Sequence, residues 1–169
     1  GVAALFGVRV DPDAMILILP ADHLIRQLDR FHDALRTAAT FAAEDRLVTF
    51  GIVPDRPETG YGYIMKGEKA SPPGSGGNAG LVQSVYTIER FVEKPDEKTA
   101  AAYVTSGRYC WNSGMFLFKA EKIYDELTRH VPRIADACRT AFDGRVSDGD
   151  FWRLDTAAFA KSPSDSIDY

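Results

Sequence analysis

The sequence predicts an α/β fold: a mainly parallel sheet flanked by helices. Three observations carry this. Short continuous apolar runs, "MILILP" at 15–20, "RLVTFGIVP" at 46–54 and "MFLFKA" at 115–120, have the length and the bounding residues of buried strands. Segments with helical apolar spacing alternate with these runs. The unit from Met15 to Val53 reads strand, helix, strand, which implies a right-handed crossover and parallel strands.

In chain order, "GVAALFGVRVDPDA" reads as the end of a helix and has no initiator Met. The chain stops in "PSDSIDY", so both ends are expected to be cuts within a longer protein, and 1–169 a partial domain. "MILILP" is expected to be a fully buried parallel strand. In "LDRFHDALRTAATFAAED", Leu28, Phe31, Leu35, Ala38 and Phe41 fall on one helical face. "RLVTFGIVP" is the next strand, and "RPETGYGYIMKG" turns into a short one. "ASPPGSGGNAG", 70–80, is the low-complexity stretch and is expected to be a flexible loop. "LVQSVYTIERFVEK" reads as a long, bent strand. Asp96 opens a helix with acids in its first turn and Gly107 near its end. "AEKIYDELTRH" and "VPRIADACRTAF", with Pro132 in its first turn, are helices. "DFWRLDTAAFAKSPSDSIDY" reads as a short helix and an exit loop.

Composition narrows the function classes. With 169 residues, 45% apolar and 26% charged, the chain suits one domain, or part of a larger one, with a real core. A net charge of −4 gives no basic footprint for nucleic acid. The longest apolar run, "AMILILPA", is far short of a membrane span, and no signal-peptide pattern opens the chain. A cytoplasmic protein with no membrane partner is expected, with Cys110 and Cys138 as reduced thiols. His23, His32 and His130 lack metal-ligand spacing.

Ligands of open α/β sheets bind beyond the carboxyl ends of the strands. Asp22, just after the first strand, suits a Mg²⁺ ligand or a turn or helix-capping aspartate. His23 beside it is read as packing or support. Gly60 and Gly62 in "ETGYGYI" suit either close backbone approach to a ligand or a plain turn. In "FVEKP", Glu93 could accept from sugar hydroxyls and Lys94 could meet a phosphate, or both could be a solvated strand end. Neighbouring strand residues point to opposite faces, so these two side chains are expected to diverge rather than pair; a bend before Pro95 would bring both to one ligand. Asn112 in "WNSGMF" suits a hydroxyl pair or turn chemistry. No nucleophile elbow, HExxH or P-loop occurs, and no residue stands out as a chemical catalyst.

In order, "LPADH", "LVTFGIVPDRPETGYGYI", "RFVEKPD", "WNSGMFLFKA" and "SIDY" resemble the mannose-1-phosphate guanylyltransferase family, bacterial long form, over almost the whole chain. The resemblance implies a Rossmann-like nucleotidyltransferase domain that joins GTP and α-mannose 1-phosphate into GDP-mannose and pyrophosphate, for polysaccharide synthesis. It implies Asp22 as a Mg²⁺ ligand, Gly62 as a backbone contact to the sugar, and Glu93 and Asn112 as contacts to mannose. It also implies Lys94 on the sugar phosphate, and Tyr61 and Thr59 as pocket wall. The family's Gly-rich nucleotide loop and second metal aspartate are not found in the sequence, so the isolated chain is expected to be inactive and its open sheet edge to self-associate as a homo-oligomer. The alternatives are a non-catalytic sugar-phosphate-binding or regulatory module, and another hexose-1-phosphate nucleotidyltransferase.

Overall fold

Buried and half-buried residues alternate along Tyr109–Lys119 (β5) as far as the buried pair Leu117 and Phe118, which face opposite ways, and this strand is the centre of the sheet. A computed structural model describes residues 1–71 and 84–165. From residue 72 onward the expected 70–80 loop lies outside the described residues, as do "LVQ" at 81–83 and the final "SIDY".

The other strands of the main sheet are β1 (Met15–Ile18), β2 (Val48–Ile52), β3 (Gly62–Ala70) and β4 (Val85–Glu93). Leu117 of β5 lies opposite both Leu17 of β1 and Val48 of β2. Trp111 lies opposite both Ile52 of β2 and Tyr63 of β3. Thus β2 runs along one edge of β5, while β1 and β3 follow each other along its other edge. β4 pairs with β3.

The helices are α1 (Val2–Val10), α2 (Leu28–Ala42), α3 (Glu97–Ser106), α4 (Ala120–His130), α5 (Pro132–Asp143) and α6 (Thr156–Phe159). On one face of the sheet Leu117 packs with Ala38 and Ala42 of α2, flanked by Leu17, Val48 and Phe50. On the other, Phe118 packs with Ala4 of α1 and Ile123 of α4, flanked by Ile16 and Phe116. A third cluster, Tyr63, Ala100, Tyr109 and Trp111, seats α3 at the far end of β5. Helices flank the sheet, as an α/β fold requires.

The mainly parallel sheet is corrected. Every registered pair among the described residues is antiparallel. β1 and β2 do run the same way, as their helical crossover demands, but β5 is inserted between them in the opposite sense. A crossover sets the relative direction of two strands and leaves their adjacency open. β1 is also not fully buried: Met15 and Ile18 are 42% and 39% exposed, and among the described strands only β5 pairs with it.

The C-terminal region holds a hairpin that the helix-and-loop reading overlooked. Val146–Asp148 (β6) pairs with Phe151–Arg153 (β7) across a two-residue loop with Gly149 at φ 60°. The loop residues are the Gly-Asp pair of "SDGD", a turn signal for such a hairpin. Lys119, at the end of β5, ties the start of β1 to the turn after α2: its Nζ lies 3.1 Å from Asp45 and 3.6 Å from Asp13. Both cysteines are free, and no helix among the described residues is long and apolar enough to cross a membrane.

Leu117 sits where three strands meet α2, so Leu117→Ala is expected to lower unfolding stability by about 2–5 kcal/mol. Urea unfolding measures this. A loss below about 1 kcal/mol would show that the three-strand junction is not the core.

Candidate functional site

Glu93 ends β4, and Lys94 leaves the strand with φ 44°, in the left-handed region. A residue before proline is disfavoured in the right-handed helical region, and a left-handed lysine carries backbone strain. Three local contacts hold this corner. The Lys94 N–H donates to the Tyr61 carbonyl at 3.2 Å. Pro95 is buried. Asp96 caps α3, its Oδ1 accepting the Thr99 N–H at 2.7 Å.

The turn corrects the expected divergence of the two side chains. Lys94 Nζ lies 3.4 Å from Glu93 Oε1, an ion pair with 64% and 30% of the two side chains exposed. At that exposure the pair stabilises little. Its importance is geometric, because both charges face one corner of the sheet.

Gly62 lies opposite Glu93 in the β3–β4 ladder. A Cβ at Gly62 would stand 2.6 Å from Glu93 Oε2 and 3.5 Å from Asn112 Cβ. The structure thus brings Gly62, Glu93 and Asn112 together, each from a different strand. The ladder explains this: Tyr63 faces Trp111, which places Gly62 beside Asn112.

Asn112 opens a bulge inside β5 rather than a turn between elements. The β2–β5 register jumps between Thr49–Phe116 and Gly51–Asn112. Within the bulge Asn112 Oδ1 accepts the Gly114 N–H at 3.1 Å, and the Ser113 hydroxyl donates to the Phe50 carbonyl at 2.6 Å. Gly114 has φ 68°, a conformation that favours glycine. Its would-be Cβ lies 3.5 Å from Pro20 Cγ, so the bulge abuts the chain just after β1. "WNSGMF" therefore lies within one strand, and its turn-forming residues are what allow the bulge.

The loop before β3 folds over Trp111. Tyr61 meets that ring edge-on at 5.2 Å, and the Arg56 guanidinium lies 5.4 Å from its centroid. Arg56 is gripped by Glu58 at 2.8 Å and Asp55 at 3.0 Å, and the Tyr63 hydroxyl accepts the Glu58 N–H at 2.9 Å. Thr59 is exposed in the same loop. Sequence reasoning missed Arg56, Glu58 and the buried Tyr63 as organisers of this wall. The available signal was an arginine flanked by acids in "PDRPET".

Asp22 is exposed in the turn after β1, two residues beyond Pro20. It does not cap α2, whose N-cap is Gln27. His23 is exposed, which corrects the packing half of its expected packing or support. No group of three or more His, Cys, Asp or Glu that could hold a metal occurs among the described residues. They offer a divalent ion one carboxylate at this strand end, short of a complete cation site.

Residues 3–156 match the model of the nucleotidyl transferase family. The chain belongs to that family. Family members generally use a divalent metal. The chain is 52% identical over 168 residues to the xanthan biosynthesis protein XanB of Xanthomonas campestris pv. campestris, covering 99% of this chain and 33% of that protein. It is 47% identical to a mannose-1-phosphate guanylyltransferase of Escherichia coli K12, covering 99% of this chain and 34% of the relative. It thus spans about a third of the length of the curated relatives it matches. A solved structure described as mannose-6-phosphate isomerase from Helicobacter pylori superposes with TM-score 0.79 at 32% identity, covering 98% of this chain and 60% of that one. One from Thermus thermophilus, described as mannose-1-phosphate geranyltransferase, gives 0.73 at 33% identity, covering 99% and 45%. In this nucleotidyl transferase chain, the family match spans every element that builds the corner around Glu93.

The Asp96 cap anchors that corner. Hydrogen bonds from Thr99 hold its carboxyl below the ordinary value of 3.8. A carboxylate with a depressed folded pKa contributes stability above its unfolded pKa and loses it as pH falls through the folded one. Asp96→Ala is therefore expected to melt lower than the parent at pH 7, with the gap closing as pH drops below 3.8. Parallel melts across that range test it, and a gap independent of pH would refute the cap.

Proposed function

We propose that this chain supplies the sugar-phosphate side of a mannose-1-phosphate guanylyltransferase. The whole enzyme transfers GMP from GTP to α-D-mannose 1-phosphate, giving GDP-mannose and pyrophosphate. The observation that supports this best is the convergence of Gly62, Glu93 and Asn112 from three strands, with Lys94 turned onto the same corner.

In this reading the Glu93 carboxylate accepts hydrogen bonds from mannose hydroxyls, and the Asn112 amide pairs with a neighbouring hydroxyl. Gly62 lies opposite Glu93 in the ladder and completes the corner. Lys94 exchanges Glu93 for the sugar phosphate, a point charge on an anion. Tyr61 and Thr59 form the wall. The held phosphate oxygen attacks the α-phosphorus of GTP, the bond to the bridging oxygen breaks, and pyrophosphate leaves. Positioning and charge stabilisation carry such a transfer. Asp22 is the residue here that would contribute a ligand to Mg²⁺, which when bound neutralises phosphate charge.

A cytoplasmic site of action, with the product feeding polysaccharide synthesis, belongs to the same proposal. So does self-association, supported by the exposed apolar residues at β1, Met15, Ile18 and Leu19.

The test uses the full-length protein and pyrophosphate release. Glu93→Ala and Lys94→Ala are each expected to raise KM for mannose 1-phosphate about tenfold or more, with the KM for GTP little changed. Parallel assays with UTP or dTTP and with glucose 1-phosphate identify another hexose-1-phosphate nucleotidyltransferase if those substrates are preferred. Binding of mannose 1-phosphate with no transfer from any nucleotide would favour the non-catalytic module. Unchanged KM in both variants would remove the assignment of this corner.

A further inference from the structure

The absence of a side chain at residue 62 has a specific steric consequence. The ideal Cβ position is 2.6 Å from Glu93 Oε2, closer than real Cβ contacts permit, while its next neighbour, Asn112 Cβ, stands at an ordinary 3.5 Å. Gly62 does not have a left-handed φ, so its backbone does not demand glycine. What a methyl group would displace is the far end of one flexible side chain, the Glu93 carboxylate. Its other oxygen, Oε1, faces Lys94 Nζ at 3.4 Å. One oxygen of Glu93 thus occupies the space vacated at Gly62, and the other is held by the left-handed Lys94.

We propose that Gly62 is a positioning residue that acts through Glu93: the space of its missing side chain seats the Glu93 carboxylate beside Asn112 in the orientation that receives the sugar. This rests on the reading of Glu93 as a sugar contact. It differs from a direct contact between the Gly62 backbone and the ligand, because a role exerted through Glu93 disappears when Glu93 is removed. It also differs from a structural role for the glycine, because the strand can accept alanine at the cost of moving one carboxylate.

The test is a double-mutant cycle in the full-length protein, read by calorimetric binding of α-mannose 1-phosphate and by thermal melting. Gly62→Ala is expected to weaken binding about tenfold, the scale of a displaced hydrogen bond to a charged group. Its melting temperature is expected to stay close to the parent's. In a Glu93→Ala background, Gly62→Ala is expected to cause no further loss. If Glu93→Ala alone leaves binding unchanged, the sugar-contact reading itself falls. If Glu93→Ala weakens binding while Gly62→Ala is neutral, or if the two losses add in full, the positioning role is overturned and the sugar-contact reading stands. Extensive unfolding of Gly62→Ala would overturn it as well, because more than a carboxylate would then have had to move.

Discussion

The pairing of β5 along both edges is the interaction on which the remaining architecture depends. Leu117 is shared by β1 and β2, and Trp111 by β2 and β3. A strand bonded on both sides has no free edge, and its side chains must serve the two faces in alternation. On β5 those faces carry Leu117 toward α2 and Phe118 toward α1 and α4. The places of β1, β2 and β3 follow from the contacts of this one strand, and β4 is added through β3.

The same strand creates the candidate site by departing from regularity at one point. Continuous pairing past Asn112 would bind its neighbours into an unbroken ladder. The bulge at Ser113 and Gly114 bends the strand, satisfies its own backbone through the Asn112 and Ser113 side chains, and sets Gly114 against Pro20. Beside it, the chain leaves β4 through a left-handed lysine fastened by the Tyr61 carbonyl and the Asp96 cap. Strain at Lys94 is offset by contacts on both sides in sequence. Two local irregularities, one in β5 and one after β4, thereby flank Gly62.

Parts of this were legible in the residues. Asp96 and Gly107 mark α3 because capping is a short-range interaction: the side-chain bond spans three residues, and the glycine ends the helix at φ 64°. The apolar stripe of α2 is likewise local, although Leu28 at its start is 57% exposed. Glu93, Lys94, Gly62 and Asn112 could be singled out by chemistry and motif order, yet each had an equally plain reading as turn or surface. The ion pair between Glu93 and Lys94 ran against the alternation rule because one residue's φ departs from the extended strand. The grip of Glu58 on Arg56 over Trp111 was overlooked because it joins a loop to a strand more than 50 residues away.

The sequence by itself determined the alternation of helices and strands, the parallel sense of β1 and β2, the caps of α3 and the family resemblance. All of these depend on spacing, propensity or motif order along the chain. Only the tertiary structure decided that β5 lies between β1 and β2, that "NSG" is a bulge, and that the space beside Gly62 holds the Glu93 carboxylate. Those depend on which strand edges find each other, through hydrogen bonds between residues distant in sequence. Such pairing carries no local periodic signal, because a strand's side-chain pattern reports which face is buried and is silent about which neighbour lies along its edge.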